Sequence, residues 1–145
     1  MKQRLQKDLT EAMKARQAAR VSTLRLLLSQ IKNEEIARGG ALADPEVLAL
    51  IQRGIKTRRE SVEQFERGGR ADLVGKESEE IAILEAYLPR QLSPEEVSRA
   101  AQDIIRELGA QSKKDMGRVM KTLMERHAGQ VDGRQASAAV AALLK

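Results

Sequence analysis

The chain has 145 residues, the size of one ordinary domain or of two small lobes that share a linker. It has no cysteine and no tryptophan, one phenylalanine and one tyrosine, which excludes disulfides, thiolate metal sites and cysteine nucleophiles and argues against RNA modules that stack bases on aromatic rings. The formal net charge is +5, with +3 in residues 1 to 90 and +2 in residues 91 to 145, and this spread excess suits an acidic partner such as RNA.

Hydrophobic residues at steps of three and four predict two helices at the start of the chain. The first runs from about residue 2 to residue 17. The second contains Leu24 and Ile31 and ends at Gly39 and Gly40, because glycine tolerates the backbone conformation of a helix end.

A third helix is predicted to follow, with Asp44 as its N-cap and Pro45 in its first turn. Its hydrophobic stripe is interrupted by Arg58 and Arg59. We expect these arginines either to lie along the surface with buried stems or to pair with carboxylates.

A fourth helix, from about residue 72, is predicted to end at Pro89. Pro89 and Pro94 then interrupt the helical pattern, which indicates a linker. The chain is therefore predicted to be all-α, with a four-helix N-terminal lobe in residues 1 to 90 and a small three-helix lobe in residues 91 to 145.

Each helix of the C-terminal lobe is predicted from a pair of capping residues at its start. A hydroxyl or carboxylate precedes the helix, and a second polar side chain follows three residues later. The pairs are Ser93 with Glu96, Ser112 with Asp115, and Asp132 with Gln135.

No catalytic, metal-binding or cofactor-binding residues are predicted. The one histidine, His127, lies just before Gly129 at a helix end, where a cation favours the negative end of the helix dipole. Three pairs of neighbouring glutamates occur, but adjacent side chains on a helix point about 100° apart and do not share a site. No glycine-rich phosphate-binding frame is present in the sequence.

The best-placed basic residues lie in the predicted sixth helix. Lys114, Arg118 and Lys121 follow one another at i, i+4 and i+7, opposite the hydrophobic face. Lys113 lies near the start of this helix and Arg134 near the start of the next, where free backbone N–H groups add positive potential. We predict that these five residues bind nucleic acid. The alternative is an ordinary solvated helix face.

Three runs of the sequence closely resemble the bacterial YqeY family. They are LRLLLSQIKNEE (24 to 35), RRESVEQFERGGRADLVGKESEEIAILEAYLPRQLSPEEV (58 to 97) and KDMGRVMKTLMERHAGQVDGRQASAAVAALL (114 to 144). The last run also resembles the tail domain of GatB, the B subunit of the tRNA-dependent amidotransferase. The resemblance implies a four-helix lobe followed by a three-helix lobe.

In GatB-like enzymes the tail domain engages tRNA, whereas amide transfer and carboxylate activation occur elsewhere, and a similar module is appended to eukaryotic glutaminyl-tRNA synthetases. The resemblance places the tail motif on Lys113, Asp115, Met116, Gly117, Arg118, Lys121, Gly133 and Arg134. Related sequences often have lysine where Arg118 and Arg134 stand, which keeps the charge but changes the donor geometry. We expect Gly117 and Gly133 to permit close approach of the backbone, either between helices or to a phosphate.

The resulting hypothesis is a tRNA-binding or tRNA-directed accessory protein without its own catalytic centre, which recognises structured RNA by shape and phosphates. Two alternatives stay open. One is an amidotransferase-related activity, a carbon-nitrogen ligase with glutamine as amido-N-donor, as the family naming suggests. The other is a helical protein-interaction module that docks on a tRNA synthetase or an amidotransferase. Because no apolar signal peptide or membrane span is present, we expect a cytoplasmic location and no membrane contact.

Overall fold

The computed structural model describes residues 1–144, and within that range it contains α-helices, one 3-10 turn and no strand, so the all-α prediction is confirmed. The helices are α1 (Lys2–Lys14), α2 (Ala18–Arg38), α3 (Asp44–Arg67), α4 (Ala71–Glu85), α5 (Pro94–Leu108), α6 (Met116–Arg126) and α7 (Gly133–Leu143), and the 3-10 turn is Lys113–Asp115. They form two compact units, Met1–Leu88 and a second unit that begins at Pro89. In the described part of the chain, no helix is both long and apolar enough to span a membrane.

The first unit is built from α1 to α4 around an aliphatic core. In this unit α3 packs along α4, α1 packs along α2, and α2 also contacts α3 and α4. The side chains with almost no solvent exposure are Leu5, Leu24, Ile31, Val47 and Ile51. One helical stripe from each of α1, α2 and α3 therefore supplies the core that the hydrophobic spacing predicts.

Three helix boundaries of the first unit differ from the sequence prediction, and one of them is the end of α4, which lies at Glu85 rather than at Pro89. Helix α1 ends at Lys14 rather than near residue 17, because Arg16 adopts a left-handed backbone with φ of 55°. The N-cap of α3 is Ala43 rather than Asp44, and the backbone N–H of Ala43 donates to the Glu46 carboxylate at 3.1 Å. The cap at this start is thus made by the carboxylate at the third helical position.

Two ion pairs link α3 to α4 through the arginines that interrupt the hydrophobic stripe, Arg58 and Arg59. The Nε of Arg58 donates to Glu80 at 3.0 Å, and both side chains of this pair are largely buried. Arg59 pairs with Glu85 at 2.7 Å near the surface. Of the two placements considered for these arginines, both residues adopt pairing with a carboxylate.

Tyr87 closes the first unit after the end of α4. Its hydroxyl donates to the carboxylate of Asp8 at 2.5 Å, and the guanidinium of Arg4 lies 4.7 Å from the ring centre. Burial, followed by the hydrogen bond to Asp8, raises the pKa of the Tyr87 hydroxyl to about 12. The chain segment before Pro89 is therefore held against α1 by a hydrogen bond and a cation–π contact.

The second unit packs α5, α6 and α7 around a separate core. Its fully buried side chains include Val97, Ile104, Val119, Leu123 and Val140. Side-chain caps are present at the predicted starts of α5 and α7, whereas the pair Ser112 and Asp115 caps the 3-10 turn that precedes α6. Among them, Ser93 accepts from the Glu96 N–H at 3.2 Å, and Asp132 accepts from the Gln135 N–H at 2.6 Å. These short-range caps set where the helices begin.

The proline-containing segment that opens the second unit is hydrogen-bonded to it. Arg90 donates to both carboxylate oxygens of Glu96, at 2.9 and 2.7 Å, and the side chain of Gln91 donates to the carbonyl of Gly129 at 2.6 Å. The guanidinium of Arg90 and the backbone N–H of Ser93 lower the pKa of Glu96 to about 2. These hydrogen bonds make the segment a part of the second unit rather than a free linker.

Candidate nucleic-acid interface

Lys113 and Lys114 lie on the 3-10 turn that leads into α6. The turn is fixed by its neighbours: the Ser112 hydroxyl accepts from the Lys114 N–H at 3.4 Å, and the Asp115 carboxylate accepts from the Gln111 N–H at 3.0 Å. Both lysine side chains are exposed, and neither forms an ion pair within the described range. Two cations without an ion-pair partner in the described range therefore lie on a turn that is held by hydrogen bonds.

Arg118 and Lys121 continue on the exposed side of α6, while Val119 and Leu123 are buried on the opposite side. Arg118 donates from Nη2 to Asp115 at 2.9 Å, although its side chain stays 59% exposed. The backbone N–H of Gln111 and the guanidinium of Arg118 hold the pKa of Asp115 below its usual value. Arg118 therefore enters any contact partly neutralised, and the i,i+3 spacing of the pair is a signal that sequence inspection could have used.

Arg134 is exposed in the first turn of α7, without an ion-pair partner among residues 1–144. It lies two residues after Asp132, whose carboxylate caps this helix. Asp115 and Asp132 both place negative charge at the helix starts where free N–H groups were expected. The positive potential at these starts is accordingly smaller than the sequence suggested.

The five predicted residues share one unit but not one helix. Lys113 and Lys114 stand on the turn, Arg118 and Lys121 follow on α6, and Arg134 belongs to α7, which packs against α6. At about 1.5 Å per residue, Arg118 and Lys121 are separated by roughly 4.5 Å along the helix axis. The predicted i, i+4, i+7 series begins in 3-10 rather than α-helical geometry, so Lys114 is rotated slightly off the line of the other two.

The two glycines of the tail-like motif lie in open surroundings. A Cβ atom added at Gly117 or at Gly133 would meet no atom within 4 Å. Close packing between helices, one of the two roles expected for them, is therefore absent at both positions. An approach by an external phosphate remains compatible with this exposure.

His127 ends α6, and its ring Nδ1 lies 3.2 Å from the side-chain oxygen of Gln130. In the described residues no group of three or more acidic, histidine or cysteine side chains is placed to hold a metal ion.

Positive charge is concentrated in a region that division of the sequence at residue 90 concealed. Residues 1–38, which include α1 and α2, hold nine basic and four acidic side chains, a net charge of +5. Residues 39–88 hold seven basic and ten acidic side chains, a net charge of −3. The average over the N-terminal lobe thus combined a strongly basic hairpin with two acidic helices.

Comparison with known proteins gives a family match and several fungal relatives. A family model described as Yqey-like protein matches residues 2–144. An uncharacterized protein of Schizosaccharomyces pombe is 35% identical over 89 residues, which cover 61% of this chain and 72% of the relative. Altered inheritance of mitochondria protein 41, mitochondrial, is 44% identical over 85 residues in Lachancea thermotolerans, where the match covers 58% of this chain and 46% of the relative. The protein of the same name in Pyrenophora tritici-repentis is 30% identical over 128 residues, covering 85% of this chain and 71% of the relative.

These relatives correct the expectation of a cytoplasmic location. Several carry the word mitochondrial in their names, and the matched part is about half of the Lachancea protein. The expectation rested on the lack of an apolar signal peptide. That criterion does not detect mitochondrial targeting segments, which are amphipathic and arginine-rich rather than apolar. The names of these relatives therefore contradict the prediction of a cytoplasmic location.

Proposed function

The chain belongs to the Yqey-like protein family, and from this membership we propose that it is a tRNA-binding accessory protein whose second unit contacts tRNA. The contact residues are Lys113, Lys114, Arg118, Lys121 and Arg134. One observation carries the proposal: four of these five cations are exposed and lack an ion-pair partner among the described residues, while the fifth, Arg118, keeps most of its side chain in solvent.

Free lysines and arginines on a surface without aromatic side chains favour contact with phosphates over reading of bases. The second unit contains no tyrosine, phenylalanine or tryptophan, so the large aromatic rings on which bases usually stack are missing from its sequence. Structured RNA offers closely spaced phosphates on a defined shape, and this is the target that such a surface can recognise. The resemblance of the same residues to the GatB tail domain supports tRNA as the particular RNA.

The test is tRNA binding measured by fluorescence anisotropy over a series of salt concentrations. Three to five phosphate contacts give a log-log slope of affinity against salt of roughly −2 to −4. The double variant Arg118→Glu with Lys121→Glu should bind all tRNAs more weakly and flatten that slope, because two contacts are replaced by repulsion.

The control is Lys56→Glu with Lys76→Glu, which changes the net charge equally on exposed positions of α3 and α4. Equal losses in both double variants would show that only bulk charge matters and would overturn the assignment of the contact residues. Absence of tRNA binding by the parent protein would overturn the proposed function and leave the protein-interaction module as the better hypothesis.

A further inference from the structure

The hairpin of α1 and α2 carries a surplus of positive charge that its own acidic residues do not neutralise. Asp8 is shared by Tyr87, by Arg20 at 3.8 Å and by Arg4 at 4.0 Å, and Glu35 accepts from Lys2 at 2.6 Å. The remaining basic side chains of the hairpin are exposed, and one of them, Arg38, pairs with Glu46. The others have no carboxylate partner in the described structure; these unpaired cations are Lys7, Lys14, Arg16, Arg25 and Lys32.

Two of these free cations border a groove between the helices. The groove has a volume of about 650 Å³ and a floor formed by Leu9, Leu28 and Ile31. Arg25 and Lys32 stand on its α2 side. They are seven residues apart, which places them on one face with an axial separation of roughly 10.5 Å.

Three polar side chains that can form hydrogen bonds line the groove together with these two cations. Ser29 lies between them on α2, and Gln3 and Gln6 line the α1 side of the groove. All three are exposed and can donate hydrogen bonds to phosphate oxygens or sugar hydroxyls. The one carboxylate at the groove, Glu35, is already engaged by Lys2 and by the N–H of Leu42.

We infer that this groove, with Arg25 and Lys32 on its rim, is a second binding surface for the phosphate backbone of structured RNA, separate from the basic residues of the second unit. The inference does not depend on the proposed contact residues of the second unit.

A lipid surface is a less suitable occupant. The exposed large hydrophobic residues of the described chain, Met13, Leu26 and Ile36, all lie on this hairpin. On α2, however, Leu26 and Ile36 are ten residues apart and point about 80° away from each other, and Leu26 lines a different cleft, against α3. A helix that binds a lipid surface needs one continuous apolar face, which this arrangement does not provide.

The experiment compares three neutralised double variants in salt-dependent tRNA binding. They are Arg25→Gln with Lys32→Gln in the groove, Arg118→Gln with Lys121→Gln in the second unit, and Lys56→Gln with Lys76→Gln as the control of equal charge. The groove variant should lower the magnitude of the salt slope by roughly 2, which is about a 60-fold loss of affinity at 0.1 M salt if parent and variant converge at 1 M.

A further variant, Ser29→Glu, guards against loss of folding. The new carboxylate can pair with Arg25 and Lys32 along the helix, so α2 should keep its stability while the two cations become masked. It should therefore weaken RNA binding with unchanged helicity in circular dichroism.

Groove variants that bind tRNA as tightly as the control would overturn the inference. The inference would also be overturned if the groove variants lost binding to vesicles containing anionic phosphatidylserine but kept RNA binding. The groove would then bind a lipid surface. If the groove variant loses affinity and the second-unit variant does not, the inference stands and the proposed function of the second unit fails.

Discussion

Truncation of Leu123 is expected to destabilise the second unit strongly and to leave the first unit unchanged. Leu123 is completely buried in the core formed by α5, α6 and α7. Removal of a fully buried leucine side chain to alanine costs about 3 to 5 kcal/mol. The second unit has about 57 residues and a total stability of about 3 to 9 kcal/mol, so Leu123→Ala removes at least about a third of it.

The expected shift in melting temperature follows from the size of the unit. Its unfolding entropy is about 0.12 kcal/mol/K, so a loss of 3 kcal/mol lowers the midpoint by about 25 °C. Helices α5, α6 and α7 supply 37 of the 110 α-helical residues within the described range. The low-temperature transition in far-ultraviolet circular dichroism should therefore account for about a third of the helical signal.

Two variants make the measurement decisive. Glu125→Ala, on the exposed side of the same helix, should melt like the parent, and Leu24→Ala in the first unit should shift only the larger transition. If Leu123→Ala shifts a single transition that contains the whole helical signal, the two units fold together. The prediction that the two units unfold independently would then be wrong.

Three further predictions concern the start of α5 and the chemistry of the chain. Glu96 has a pKa of about 2 in the folded state against an ordinary value of 4.5, so its stabilising effect is complete above about pH 5 and is lost as the pH falls towards 2. The melting temperature of the second unit should therefore fall over this pH range, and Glu96→Gln should reduce that dependence on pH. Ser93→Ala should lower the stability of the second unit by about 1 kcal/mol in urea unfolding, and Ser93→Gly should cost less; equal stability of Ser93→Ala and the parent would contradict the role of this cap. The purified protein should release no ammonia from glutamine, since the sequence has no cysteine and its one histidine, His127, contacts the side chain of Gln130 rather than a hydroxyl group. Release that one carboxylate or serine substitution abolishes would overturn this expectation.

The sequence was most informative where structure depends on neighbours within one helical turn. The caps at Ser93 and Asp132 were predictable because a side-chain oxygen and a backbone N–H two or three residues later suffice to form them. The hydrophobic stripes were predictable for a similar reason, since a single period decides which side of a helix is buried.

Features that depend on the backbone or on distant residues were missed or left open. The side chain of Arg16 does not predict a left-handed backbone at that position. Ala43 has no side-chain oxygen that would identify it as an N-cap. The partners of Arg58 and Arg59 lie more than twenty residues away, so the sequence could state only that a carboxylate was one of two possible neighbours.

The candidate site shows the same limit. Spacing identified the exposed residues Arg118 and Lys121 of α6, and the same i,i+3 spacing would have placed Asp115 beside Arg118, where the carboxylate partly offsets the positive charge. The groove of the hairpin was missed because Arg25 and Lys32 were counted together with acidic residues of α3 and α4, with which they form no ion pair in the described structure. A net charge describes a surface only when its boundaries follow the helices.

The position of Tyr87 gives the protein an intrinsic optical probe of one unit. It is the single tyrosine of a chain without tryptophan, so near-ultraviolet emission and the tyrosinate absorbance band both originate in the first unit. While that unit is folded, the band should emerge only near pH 12, whereas unfolding should bring it down to about pH 10. Absorbance titration can thus report the state of α1 and its contact with Asp8 without a label, and it remains silent to events confined to α5, α6 and α7.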